Sequence, residues 1–450
     1  MIFDEKLRWY GFWTVDRLQK GGITRKYYEE IRESFREGTS VEKTQEKLQK
    51  LIAHAVKTTE FYKDFDENTP LEQLPVVNKD TFRSNYEAMT SAAYRDAKDN
   101  RIMCTSGSTG TPLSMVQNRD KIDHNTAASI FLGAVGGFYI GMKEAFIRVW
   151  VNNVKKSRLQ LLAENLIMVD SSSMDDEALG KIFSMIEKKK VKCLVGYSSA
   201  LGELSRYISR YQIDTSKCRV RSILPISEAM PVSVRKALKE QFRCPVRAWY
   251  SNEENGIMGI QNPDDEGYHI DTESYYYEIL KLDRDEPAQP GELGRIVITD
   301  LYNYAFPILR YDNGDLAIAR KKEKNGRYKL YLTELYGRRS DMIYDCDGNA
   351  LTPYIITNNL WDVEGVAQFR FIQEDVTKYT LWLNGDREKM NVDNIRERIL
   401  PYLGDRAELS IEFVDEIPVL NSGKRKYIEN RCAKYRVPTA SDGAEIARKV

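Results

Sequence analysis

Residues 191–208, VKCLVGYSSALGELSRYI, together with VRSILPI at 220–226, carry the pattern from which the fold is read. Val191 to Val195 is an apolar run of strand length. Apolar residues then recur at helical spacing from about Ser199 to Ile208, and Val220 to Ile226 returns to an apolar run. The alternation extends outward on both sides. Ala145 to Val151 reads as a strand, and Leu179, Ile182, Phe183 and Ile186 form a helical stripe after cap signals at Ser173 and Asp176. Pro231 opens a helix, and Val246 to Tyr250 reads as a further strand. Strand, helix and strand in series imply a largely parallel sheet covered by helices. Ligands of such sheets bind beyond the carboxyl ends of the strands, which directs attention to the loops after Ile226 and Tyr250.

Toward the N-terminus, Leu48, Leu51, Ile52, Ala55 and Val56 share a helix face, with Thr39 and Glu42 spaced as a capping box. Toward the C-terminus the texture changes. Strands are expected near Val366 to Ile372, Tyr379 to Leu383 and Ser410 to Val414, with a helix near Val392 to Leu400. The fold expected is α/β: a large N-terminal domain over 1–336 with mostly parallel helix-covered sheets, a hinge at 337–341, and a small C-terminal α+β domain over 342–450.

Composition narrows the function classes. The chain has 450 residues, enough for two domains, and its 67 basic and 67 acidic residues cancel, unlike the basic footprint of a nucleic-acid binder. Six scattered cysteines with no CxxC pair point away from disulfides and structural zinc and toward a reducing, cytoplasmic setting. The N-terminal segment MIFDEKLRWYGFWTVDRLQKGG is charged throughout, so neither a signal peptide nor a spanning helix is expected. Its Trp9, Tyr10, Phe12 and Trp13 are read as packing onto the protein's own core, with a membrane surface or a partner as the other reading.

Several short segments can carry chemistry. Cys104 to Pro112 is a run of small hydroxyl and glycine residues whose amides and hydroxyls can cradle polyphosphate, although it lacks the Lys-Ser/Thr ending of a Walker loop. Trp249 to Gly256 places an aromatic ring and two carboxylates just past a buried strand, where a carboxylate can hold Mg²⁺ and a ring can stack on a base. Arg310 to Asp315 ends in a carboxylate able to accept ribose hydroxyls; by itself, Asn-Gly-Asp is an ordinary turn. Gly337-Arg338-Arg339-Ser340-Asp341 and Asn421-Ser422-Gly423-Lys424 complete the series.

In order and form these segments resemble those of the adenylate-forming superfamily of acyl-CoA synthetases. TSGSTGTP is similar to its phosphate loop, YSNEE to its Tyr-Gly-x-Thr-Glu motif, YDNGD to its Tyr-Arg-Thr-Gly-Asp motif, GRRSD to its hinge motif and NSGK to its C-terminal lysine motif. Leu51 to Ala55, Phe61-Tyr62 and Leu74 to Lys79, with Gly196 to Leu201 and Ser227-Glu228, resemble phenylacetate-CoA ligases and, more closely, their CapK-type capsule-biosynthesis relatives.

The resemblance implies roles by matched position. Thr105, Ser106, Gly107, Ser108, Thr109 and Gly110 would hold the ATP phosphates. Ser227, Glu228, Tyr250, Ser251, Asn252 and Glu253 would line the nucleotide site. Asp315 and Arg338 would bind the ribose. Glu254 would hold Mg²⁺, and Lys424 would reach the α-phosphate and the attacking carboxylate. The function implied is acyl-adenylate formation from a small carboxylic acid, ATP and Mg²⁺, followed by transfer to CoA or an amine in surface-polysaccharide biosynthesis. The alternatives are AMP left on a hydroxyl and a nucleotide-binding scaffold without catalysis. No zinc and no nucleic acid are expected, and relatives' habits allow a homodimer.

The sequence also departs from the pattern. Asp312 stands where a cation is usual and Glu253 where Thr is usual, which makes the site read as more acidic. Leu113 replaces a Lys at the end of the phosphate loop, and Ser340 occupies the usual hinge carboxylate position beside Asp341. Of the histidines, His54 reads as structural and His269 either as structural or as facing the acid pocket. Tyr275 to Tyr277 reads as sheet packing.

Overall fold

The apolar runs of the middle region form a four-stranded parallel sheet in the order Leu166–Asp170, Glu144–Arg148, Cys193–Tyr197, Ser222–Ile226. Every residue of the last two strands is buried, which is why their sequence is continuously apolar and not alternating. Helix Ser198–Arg210 packs over the sheet, and Gly196 lets the central strands approach closely, since a Cβ there would stand 2.8 Å from the carbonyl of Ile147. The structure, a computed structural model, describes residues 3–104, 113–150, 156–263, 267–351, 353–361, 363–418 and 426–435.

Two local expectations shift. The strand expected at Val246 to Tyr250 begins at Trp249 and does not join the parallel sheet beyond a single bridge from Val246 to Ile223. A turn over residues 253–255 sends the chain straight back, so Trp249–Asn252 pairs antiparallel with Gly256–Gln261, as a short turn requires. These strands end a larger sheet whose path runs Tyr275–Leu280, Gly294–Asp300, Tyr311–Lys324, Arg327–Arg338, Tyr268–Ile270, Gly256–Gln261, Trp249–Asn252. Tyr275 is fully buried in it, in keeping with the sheet-packing reading. The helix expected after Thr39 is Val41–Thr58, and its cap is Ser40, whose Oγ accepts from Lys43 N at 3.3 Å. Thr39 instead pairs with Tyr328 and hydrogen-bonds Thr272 at 2.6 Å, so tertiary pairing takes the residue that local spacing offered as a cap.

The apolar face of Val41–Thr58 enters a core shared with Tyr62, Leu74, Val77, Phe82, Leu113, Phe306 and Tyr311. His54 lies in that helix with Nε2 2.9 Å from the Tyr304 carbonyl, a structural contact. His269 is held between the rings of Phe35 and Tyr331, with centroids 4.1 and 4.8 Å away, which favours its structural reading. Burial, with Lys329 and Arg247 nearby, pushes its pKa down to about 4. The unfolded chain takes up this proton below pH ~6.5, while the folded state resists it until about pH 4, so stability falls as pH drops through that window. His269→Gln should therefore cost stability at neutral pH and progressively less toward pH 4. Urea unfolding of both proteins across the window checks this, and a pH-independent difference would refute it.

The chain divides into two compact units, one comprising residues 1–228, 237–313 and 317–335, the other 229–236, 314–316 and 336–450. In the second, Glu408–Phe413, Lys378–Gly385, Val366–Gln373 and Ile428–Asn430 form a four-stranded mixed sheet in that order. Helix Val392–Leu403 buries Ile395, Ile399 and Leu403, so the α+β texture of this region is as the sequence suggested.

Candidate active site

The turn between Trp249–Asn252 and Gly256–Gln261 lies at the centre of the candidate site. Gly256 closes it with φ of 100°, and a Cβ there would meet Asn125 Oδ1 at 3.0 Å, so only glycine fits without strain. Inside the turn Glu254 is 1 % exposed, and Lys79 Nζ lies 2.7 Å from its Oε1. Lys79 is the first residue of helix Lys79–Ser84, started by a capping box in which Asn78 Oδ1 accepts from Asp80 N and Thr81 N at 2.9 and 3.0 Å. Just upstream, Val77 is tied into the backbone of Arg310 and Asp312, which fixes where the helix begins.

Around the ion pair of Glu254 and Lys79 several amide atoms of the turn are buried without a hydrogen-bond partner: Asn252 Nδ2, and both Oδ1 and Nδ2 of Asn255. Leaving such atoms unsatisfied costs roughly 1–3 kcal/mol each, so their concentration in one turn marks a place arranged for a ligand. The buried Glu254 carboxylate is a hard oxygen donor, and it fits Mg²⁺, which is commonly held by one or two carboxylates plus substrate phosphates. Among the described residues no cluster of three or more His, Cys, Asp or Glu side chains could hold a metal by itself.

Beneath the turn is a network that sequence reading did not find. Lys121, at the start of helix Arg119–Val135, is fully buried and pairs with Asp300 Oδ2 at 2.5 Å. Its Nζ also donates to the Asn255 carbonyl at 2.9 Å and lies 3.0 Å from the Tyr275 hydroxyl. Burial pulls its ammonium below the usual lysine range, while Asp300 acts in the opposite direction. Lys121 carries no local signal, since it looks like an ordinary polar residue opening a helix, and Lys79, although it ends the Leu74 to Lys79 resemblance, was given no role in the site from sequence.

The expected nucleotide-site residues separate into groups. Ser227 follows strand Ser222–Ile226 in a left-handed conformation, φ 68°. Glu228 turns back onto the start of helix Ser198–Arg210, its Oε2 accepting from Ser199 N and its carbonyl from Ser198 Oγ, both at 2.8 Å. This carboxylate is therefore engaged by a helix N-terminus. Tyr250 is 5 % exposed, and its hydroxyl accepts from Asn313 Nδ2 at 2.7 Å, which joins the YSNEE and YDNGD segments. Ser251 and Asn252 continue that strand past a bulge, and Asn252 Oδ1 accepts from Asn255 N at 2.7 Å. Glu253 is exposed and, with Glu228, acts to raise the pKa of Tyr197, whose main cause is burial; Arg148 opposes it. Arg148, Tyr197 and Glu228 thus gather at the carboxyl ends of neighbouring parallel strands, with Glu253 within electrostatic reach, and Arg148 was not singled out from sequence.

Asp312 corrects one expectation. Its carboxylate is buried and paired with Arg295 Nη1 at 2.9 Å, so it does not add an uncompensated negative charge. Arg295, distant in sequence, supplies the cation. Asp315 and Arg338 belong to the second compact unit, half-buried and exposed respectively, with Arg338 ending the strand Arg327–Arg338. Thr105, Ser106, Gly107, Ser108, Thr109 and Gly110, and also Lys424, lie outside the described residues. The roots of the 105–112 segment are an antiparallel pair, Arg101–Cys104 with Ser114–Gln117, and Leu113 packs in the same core as Val77 and Phe82, which flank Lys79.

Residues 343–431 match the family model described as the CapK C-terminal domain. Protein CapK of Staphylococcus aureus is 23 % identical over 437 residues, covering 92 % of this chain and 94 % of that one. Phenylacetate-coenzyme A ligase of Thermus thermophilus is 21 % identical over 318 residues, 66 % of this chain and 70 % of that one. Among solved structures, 2-hydroxyisobutyryl-CoA ligase in its postadenylation state superposes with a TM-score of 0.67 at 15 % identity, covering 90 % of this chain and 91 % of that one. These likenesses give the chain the fold of the adenylate-forming ligases, in the branch that resembles CapK and phenylacetate-coenzyme A ligase.

Proposed function

We propose that the protein is an ATP-dependent ligase that activates a small carboxylic acid as an acyl-adenylate, releasing pyrophosphate, and passes the acyl group to CoA or to an amine in surface-polysaccharide assembly. The observation that carries this reading is the Glu254 turn: a buried carboxylate whose one charge partner among the described residues is Lys79, beside buried amide atoms of Asn252 and Asn255 that have no hydrogen-bond partner. The attacking carboxylate is already ionised at neutral pH, so the site needs charge compensation and not a general base. Lys79 holds the charge of Glu254 in the absence of another cation. Lys424 supplies positive charge where the acid meets the α-phosphate, and Glu228 and Asn313 hold the turns that border the nucleotide. Mg²⁺, held by Glu254, would supply Lewis-acid neutralisation of phosphate charge.

The test is acid-dependent pyrophosphate release from MgATP with aryl, fatty, amino and uronic acids, each with and without CoA. Release with one acid class is expected, and a further rise with CoA identifies a thiol acceptor. Lys424→Ala should lower the rate about 10²-fold with ATP binding retained, the scale of losing one preorganised charge. AMP retained on the product would indicate hydroxyl adenylation, and ATP binding without release from any acid would overturn the proposal.

A further inference from the structure

Helix Phe3–Lys20 is amphipathic with its polarity reversed. Leu7, Tyr10, Gly11, Thr14, Val15 and Leu18 follow the spacing i, i+3, i+4, i+7, i+8, i+11, and all are exposed, Leu18 by 78 % and Leu7 and Tyr10 each by 62 %. Two of its three acidic residues, Glu5 and Asp16, face inward instead. Glu5 is 1 % exposed and pairs with Lys192, and Asp16, 3 % exposed, accepts from Thr24 N and Arg25 N at 3.3 and 3.1 Å at the start of the next helix. Trp13 also packs inward, half-buried, its ring 5.6 Å from Tyr28 with Arg25 over it, whereas Tyr10 is exposed. A helix that needed to bury only its own apolar residues would place these groups the other way round.

A helix tied to this one by Arg8 also exposes apolar side chains. Arg8 Nη1 donates to the carbonyls of Leu162 and Ala163 at the end of helix Arg158–Glu164, and that helix exposes Leu159 and Leu162 by 80 % and 65 %. Among the described residues, twelve large apolar or tyrosine side chains are exposed, and half of them lie on these two helices of 18 and 7 residues. Scattered exposed leucines need no explanation, but a contiguous row does. The charges left on this surface decide its partner. Lys6 and Arg17, which share one flank of the row, and Arg158 are exposed and form no ion pair among the described residues, whereas the exposed Asp4 is paired with Arg8.

We infer that this face docks on an anionic lipid surface, with helix Phe3–Lys20 lying in the headgroup plane, the leucines inserted and Lys6, Arg17 and Arg158 against the lipid charges. No helix of the described residues is long and apolar enough to cross a membrane, so the contact is interfacial. The inference is independent of the proposed catalysis.

The experiment is co-sedimentation of the full chain with phosphatidylcholine vesicles with and without phosphatidylglycerol, at low and high salt, alongside analytical ultracentrifugation of the protein alone. Expected is binding to the anionic vesicles that high salt weakens. Leu7→Ser with Leu18→Ser should weaken it about tenfold or more, and Lys6→Glu with Arg17→Glu should remove the preference for anionic lipid, both with unchanged circular dichroism. No binding to anionic vesicles, binding indifferent to both variant pairs, or a dimer that the leucine pair dissociates would each overturn it, the last by showing that a second copy covers the row.

Discussion

Lys121→Met should lower the stability of the larger unit by about 3–5 kcal/mol, the scale for stranding one member of a buried ion pair. Asp300 is completely buried, its Oδ2 faces Lys121 at 2.5 Å, and its Oδ1 accepts from Tyr302 N and Asn303 N at 3.1 and 3.2 Å. Without the lysine it must carry an unpaired charge in the core or take up a proton. Asp300→Asn keeps an acceptor for the two amides, so Lys121→Met combined with Asp300→Asn should cost less than the sum of the single changes by roughly 2 kcal/mol or more. Chemical denaturation of the four proteins in this cycle measures the coupling. Strict additivity would mean that the pair does not interact as described. The same lysine holds the Asn255 carbonyl, so its loss should also loosen the turn that carries Glu254.

Glu254→Gln is expected to reduce acid-dependent pyrophosphate release by about 10²–10³-fold, because a neutral amide cannot offset a cation at the phosphates. Its effect should extend beyond rate: the Mg²⁺ concentration giving half-maximal activity should rise. Lys79→Met should act in the opposite sense on that concentration, since it removes the cation that faces Glu254 Oε1 at 2.7 Å. Without magnesium this variant should unfold at a lower temperature than the parent, and added Mg²⁺ should recover the loss by binding the folded state. A Glu254→Gln protein with unchanged rate and unchanged magnesium dependence would remove this carboxylate from the site.

The sequence alone determined those features that depend on neighbours along the chain. Continuous apolar runs at 191–197 and 220–226 with a helical stripe between them specify buried parallel strands, because only strands covered on both faces are apolar at every position. Motif order was legible for the same reason: TSGSTGTP, YSNEE and YDNGD are each written in consecutive residues. Local reading failed where a residue's partner is remote. Thr39 was displaced as a cap by its pairing with Tyr328, and Trp249–Asn252 left the parallel sheet because the following turn returns the chain. Asp312 seemed an added negative charge until Arg295 was found against it.

The lysines make the same case most strongly. Neither Lys79 nor Lys121 shows its partner in the sequence around it, and only the fold brings one to Glu254 and the other to Asp300 and the Asn255 carbonyl. The reversed polarity of Phe3–Lys20 is likewise invisible in periodicity, which reports that one face is apolar but not which face the core receives. Sequence thus specified the secondary structure and the order of the motifs, whose signals are short-range. Tertiary structure decided which charges are buried, which are paired and which surface stays apolar, because burial and Coulombic energy depend on distance in space and not on separation along the chain.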